Sequence, residues 1–171
     1  MELKNVGSFE STFLDTNQAS SKTNLLKIIE FCNKHQIRIK EHNTDYLSDR
    51  ALQLHPEIGI HAANIAPEFA VAETRAFLSL LKKYQLEKEL EKFIEISYSS
   101  KKWEKWMLSD SKLGKQEKAI ISGHYIFGKN EFIDLKNDVE RKVSLKCTLD
   151  SHLKLEVKKS IIRYLNLFSM I

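Results

Sequence analysis

Long apolar runs are missing from this chain of 171 residues. None approaches the roughly 18 residues that a membrane-spanning helix needs. Cysteine is scarce as well: Cys32 and Cys147 stand far apart, nothing in their placement favours a disulfide, and a reducing compartment is expected. There is no CxxC pair, no HExxH and no glycine-rich phosphate loop, so zinc ribbons, zincins and P-loop chemistry have no support. The opening MELKNVGSFE lacks the apolar segment of a secretory signal, and a cytoplasmic location is expected. Neither sign of charge dominates. The formal net charge of +4 is spread along the chain and forms no concentrated basic patch, so a nucleic-acid or membrane partner is not expected.

What is present suits a soluble globular protein: 42% hydrophobic and 29% charged residues, in a length sufficient for a core. The first half alternates strand and helix patterns. LKNVGSF is a short strand candidate, followed by a polar loop. Leu25, Ile28, Ile29 and Cys32 recur at helical spacing. IRIKE places Ile37 and Ile39 two apart, at strand period. Ser48 and Asp49 predict the start of a short helix that stops before Pro56. IGIHAANI predicts a buried strand, and Pro67 opens a long helix whose apolar positions include Val71, Phe77, Leu78 and Leu81. Alternation of this kind is the grammar of a parallel α/β sheet.

The second half is helical in pattern: LEKELEKFIEI, KKWEKWML, KQEKAIISGHYIF, NEFIDLKNDVERKV and DSHLKLEVKKSIIRYLNLF, with Gly114 and Gly128 as breaks. In the last segment Leu153, Val157, Ile161 and Leu165 mark one face. Two regions therefore follow from the pattern, residues 1–83 and residues 84–171.

Ligands of parallel α/β sheets bind beyond the carboxyl ends of the strands. Five polar residues follow IRIKE at that place: His42, Asn43, Thr44, Asp45 and Tyr46. They offer an imidazole, an amide, a hydroxyl, a carboxylate and a phenol to a polyol or a divalent metal. The alternative is that Thr44 and Asp45 cap the helix beginning near Ser48. His61 and Asn64 in the next strand would each cost about 1–3 kcal/mol if buried unpaired, so they pair internally or face a ligand. Glu10, after the first strand candidate, is a further metal or hydroxyl ligand. His55, before Pro56, reads as exposed loop, and His124, Tyr125, Phe127, Trp103 and Trp106 as packing residues.

EHNTDY followed by GIHAANIAPEFAVAETRAFL resembles the non-catalytic Z-type subunit of class II D-tagatose-1,6-bisphosphate aldolase. The likeness covers roughly residues 3 to 83. Its most specific part is His42, Thr44, Asp45 and Tyr46, with Phe69, Ala70 and Arg75 matching the helix that follows. The resemblance implies the C-terminal portion of a TIM (β/α)8 barrel, about three parallel strands matching the sixth to eighth, followed by a helical tail. A whole barrel takes about 250 residues, so a truncated chain, or one needing the missing N-terminal part of the barrel, is expected.

What the family implies is an accessory subunit in carbohydrate metabolism, partnered by a catalytic aldolase chain, with a sugar phosphate as ligand. A fainter similarity reaches the catalytic class II aldolases, where His42 would take a metal-binding place, with zinc as the metal, and Asn64 an asparagine of the last strand. Ala62 and Pro67 depart from the lysine and threonine of that pattern. The other expectations are a fragment of a metal-dependent sugar-phosphate aldolase or isomerase, with His42, His61 and Asp45 at the substrate, and an inactive remnant or helical interaction module.

Overall fold

A computed structural model describes residues 19–42, 44–107 and 111–168. The LKNVGSF strand candidate and Glu10 lie outside the described residues, as does Asn43. The fold is mixed α/β, a small parallel two-stranded sheet followed by a helical region. In chain order, helix α1 (Ala19–Lys34) leads to strand β1 (Ile39–Glu41), helix α2 (Asp49–Glu57), strand β2 (Ile60–Ala63) and helix α3 (Pro67–Lys83). Then come α4 (Glu87–Ser99), α5 (Lys115–Ser122), α6 (Asn130–Lys142) and α7 (Leu149–Leu167). Single 3-10 turns at Glu104–Trp106 and Gly123–Ile126 interrupt the series.

Two strands form within IRIKE and IGIHAANI, but β2 is not the buried strand expected: Ile60 is buried, whereas His61 and Ala62 are exposed. β1 pairs parallel with β2, Ile39 opposite Ile60 and Glu41 opposite Ala63, with a register shift between Ile39 and Lys40. β-branched residues at the strand starts suit such a surface. Ser48 caps α2 as its sequence position predicts, its hydroxyl accepting the Ala51 N–H at 3.2 Å.

Three further expectations need correction. The α2 helix does not stop before Pro56: it runs through the proline to Glu57. In the last turn the missing N–H costs one bond only, and His55, which proline disfavours in helical geometry, is held there by its own buried bonds. Ile28 does not join the inward stripe of α1. It is 57% exposed, beside an equally exposed Phe31, while Ile29 is buried. KKWEKWML is no helix but one 3-10 turn, where Trp103 Nε1 donates to Tyr98 O at 2.9 Å and its ring stacks on Tyr98.

Glycine is scarce, five in the chain, and glutamine closes two helices instead. Gln36 and Gln85 adopt φ of 57° and 55°. Ile37 N then donates to Cys32 O at 2.8 Å and Leu86 N to Leu81 O at 2.9 Å, the six-to-one bond of a Schellman end.

The chain divides into two compact units. One comprises residues 69–160; the other holds the described residues up to Glu68 together with 161–168. Most of α3 belongs with the helices, and the end of α7 with the sheet. The helical unit has its own core of Phe77, Leu81, Phe93, Ile126, Phe132 and Leu135, all 2% exposed or less. Phe77 meets the rings of Phe93 and Phe132 at centroid distances of 5.2 and 5.3 Å.

Two helices crowd Gly123: a Cβ there would lie 2.9 Å from Phe93 Cζ on α4 and closer still to the side chain of Thr74 on α3. Gly123→Ala is therefore expected to cost about 1–2 kcal/mol by overpacking. Urea denaturation of the variant checks this; an unchanged midpoint would mean that the helices can separate there without loss.

Candidate functional site

The residues after β1 and β2 are drawn together by the backbone first. Asn64 N donates to Glu41 O at 3.0 Å, and Thr44 N donates to Asn64 O at 2.9 Å. Asn64 thus extends the ladder past both strand ends through its main chain. The residue itself is exposed.

His42 follows the last residue of β1 and is exposed. His61 is exposed too, and its Nδ1 accepts the N–H of Ile39 at 3.3 Å, at the first residue of β1. His42 thus adjoins the end of β1, and the His61 ring bonds the residue that starts it. His61 satisfies a donor where the register shifts.

Thr44 and Asp45 are buried and Tyr46 half-buried. Asp45 Oδ1 accepts Ala66 N at 3.1 Å and Glu68 N at 2.8 Å. Asp45 is therefore a helix cap, as the alternative reading had it, but it caps α3 rather than α2. An acceptor at this place satisfies N–H groups that a helix start leaves open, and its charge suits the positive end of the helix dipole. Burial pushes its carboxyl above the ordinary value of 3.8, the N–H groups of Glu68 and Ala66 oppose this, and the nearby Glu68 charge adds to the rise.

Glu68 returns the contact. Its Oε2 accepts the Tyr46 N–H and the Tyr164 hydroxyl, and its Oε1 lies 3.4 Å from Arg163 Nη1. Arg163 Nη2 donates to Leu47 O at 2.7 Å and Nε to Asp49 Oδ1 at 2.8 Å. Burial, the hydrogen bond to Glu68 and the Glu68 charge all raise the Tyr164 phenol, so it remains protonated and a donor at neutral pH. Tyr46 sits at φ 61°, a conformation that costs an L-residue about 1–2 kcal/mol. The carboxylate holding its N–H helps to maintain that turn.

Under the end of β1, Glu41 pairs with His55 Nε2, and His55 Nδ1 donates to Ala51 O at 2.7 Å. His55 is fully buried, not in an exposed loop, and its ring lies 5.3 Å from that of Phe168. Sequence reasoning missed Glu41, His55, Glu68, Arg163 and Tyr164. For His55 the signal was its i+4 spacing from Ala51 on a helix start already recognised; for the pair on α7 no local signal exists.

Among the described residues no three His, Cys, Asp or Glu side chains converge on one point, and Glu10, expected with His42 as a metal ligand, lies outside them. No protein-family model, no curated protein and no solved structure matches this chain. Its chemistry must be judged from its own geometry. That geometry is a set of carboxylates whose oxygens are engaged by backbone N–H groups, a phenol and a guanidinium, an arrangement suited to fixing a loop.

Proposed function

We propose that this chain is a non-catalytic accessory subunit of a class II tagatose-bisphosphate-type aldolase, corresponding to the C-terminal part of a (β/α)8 barrel. The observation that carries the reading is the parallel β1–α2–β2–α3 unit with two strands among the described residues. Parallel sheets are found with both faces covered and several strands deep, and two parallel strands leave edges that invite further pairing. Ile28, Phe31 and Ile37 expose large apolar side chains in the same unit. On this reading the remaining strands and the catalytic chain come from a partner.

The polar loop after β1 supports a subunit that does not break carbon–carbon bonds itself. Asp45 spends its carboxylate on the start of α3, and the Thr44 carbonyl accepts the Tyr164 hydroxyl at 3.2 Å. A second reading, a helical interaction module, is favoured by the separate core of the 69–160 unit.

Co-expression with a catalytic tagatose-bisphosphate aldolase chain tests the proposal. Co-purification at fixed stoichiometry, with a raised melting temperature or activity of the catalytic chain, is expected. Separate elution and unchanged aldolase stability would contradict it. Aldol cleavage by the isolated chain would point to the enzyme fragment instead.

A further inference from the structure

Two groups in the turn after β1 are held against their preference. Thr44 is fully buried, and its Oγ1 has no hydrogen-bond partner among the described residues. An unpaired buried hydroxyl favours any state that returns it to water. Tyr46 is kept in the left-handed region, which an L-residue disfavours. Both residues connect to the end of α7. The Tyr164 hydroxyl bonds the Thr44 carbonyl, at 3.2 Å, and Glu68 Oε2, the same oxygen that accepts the Tyr46 N–H. Arg163 adds the Leu47 carbonyl, at 2.7 Å.

On the helix side the hold is mostly polar. Among residues 161–168 only Tyr164 is buried, and Ile161 and Ile162 are exposed. The Arg163–Asp49 pair keeps both side chains in contact with solvent, so water can replace either partner. Segments with few buried apolar contacts open first. At the start of the same helix Leu149 and Leu153 lie in the core of the helical unit.

We propose that the end of α7 is a latch: residues 161–168 and the turn at Tyr46 and Leu47 open together, while the strands stay paired and Asp45 stays on α3. Opening admits water to Thr44 Oγ1, lets the Tyr46 backbone relax and frees the Glu68 carboxylate and the Leu47 carbonyl from Tyr164 and Arg163. These groups follow β1 at its carboxyl end, where parallel α/β sheets hold ligands. The closed latch withholds them. Simple fraying of a helix end would leave the turn untouched.

Amide hydrogen exchange of the full chain, resolved by residue, tests this. Two amides report on the latch: Tyr46 N–H, held by Glu68, and Phe168 N–H, held by Tyr164 O. Two report on the ladder: Thr44 N–H on Asn64 O and Asn64 N–H on Glu41 O. The latch pair is expected to be protected at least about tenfold less than the ladder pair. Tyr164→Phe should lower the protection of both latch amides by about tenfold and leave the ladder unchanged. Thr44→Val, which keeps the shape and removes the unpaired hydroxyl, should raise the protection of both by about fivefold. A loss in Tyr164→Phe confined to Phe168 would be fraying and would overturn the proposal. So would Thr44→Val that fails to raise the latch protection, or ladder amides that open together with the latch in the wild type.

Discussion

Replacing His55 by alanine is expected to lower the unfolding free energy by about 3–4 kcal/mol. The ring is fully buried, so its removal leaves a cavity beside Phe168. Two polar groups lose their partner at once. The Ala51 carbonyl gives up the Nδ1 donor, and the Glu41 carboxylate, with its side chain 17% exposed, gives up Nε2. The partial exposure of Glu41 keeps the cost at the lower end for a broken buried pair, because water screens part of the orphaned charge. Glu41→Gln leaves an acceptor facing the imidazole and should cost about 1 kcal/mol. Urea denaturation of both variants measures the difference. A loss below about 1 kcal/mol for His55→Ala would show that the pair carries little of the stability assigned to it.

Asp45→Ala is expected to cost about 2–3 kcal/mol, because the Ala66 and Glu68 N–H groups lose a buried acceptor at the start of a 17-residue helix. Asp45→Asn keeps a carbonyl oxygen at the same place and should recover more than half of this. The two variants also separate the cap from its charge. The folded chain holds the Asp45 proton more tightly than the unfolded chain, since its carboxyl is raised from 3.8. The contribution of this group is thus fully present below 3.8 and is lost as pH rises through the folded value. Asp45→Asn should therefore flatten the fall in stability between pH 4 and neutrality relative to wild type. A steeper fall in the variant would contradict the burial argument.

Much of the scaffold is legible in the residues. The isoleucines at strand spacing, Ser48 before α2 and Pro67 at the head of α3 act through neighbours in sequence, and local geometry follows. The charged and polar residues of the site act otherwise. Asp45 meets N–H groups 21 and 23 residues away, and Glu68 meets Tyr164 across 96. A carboxylate three residues before the α2 cap has the same local appearance whether it caps that helix or a distant one. His55 shows the converse. Its neighbour Pro56 argues for an exposed loop, and tertiary bonds to Glu41 and Ala51 override that preference. The exposed Ile28 marks a third limit, because helical periodicity gives the direction of an apolar stripe but not its width.

The Asp45 carboxylate thus holds the N–H groups that open α3. Amide hydrogen exchange at Ala66 and Glu68 in the intact chain tests this most directly. Slow exchange in the wild type, lost in Asp45→Ala and retained in Asp45→Asn, is the expected result. Exchange at the rate of an exposed loop in the wild type, with protection appearing only on addition of a sugar bisphosphate, would contradict it.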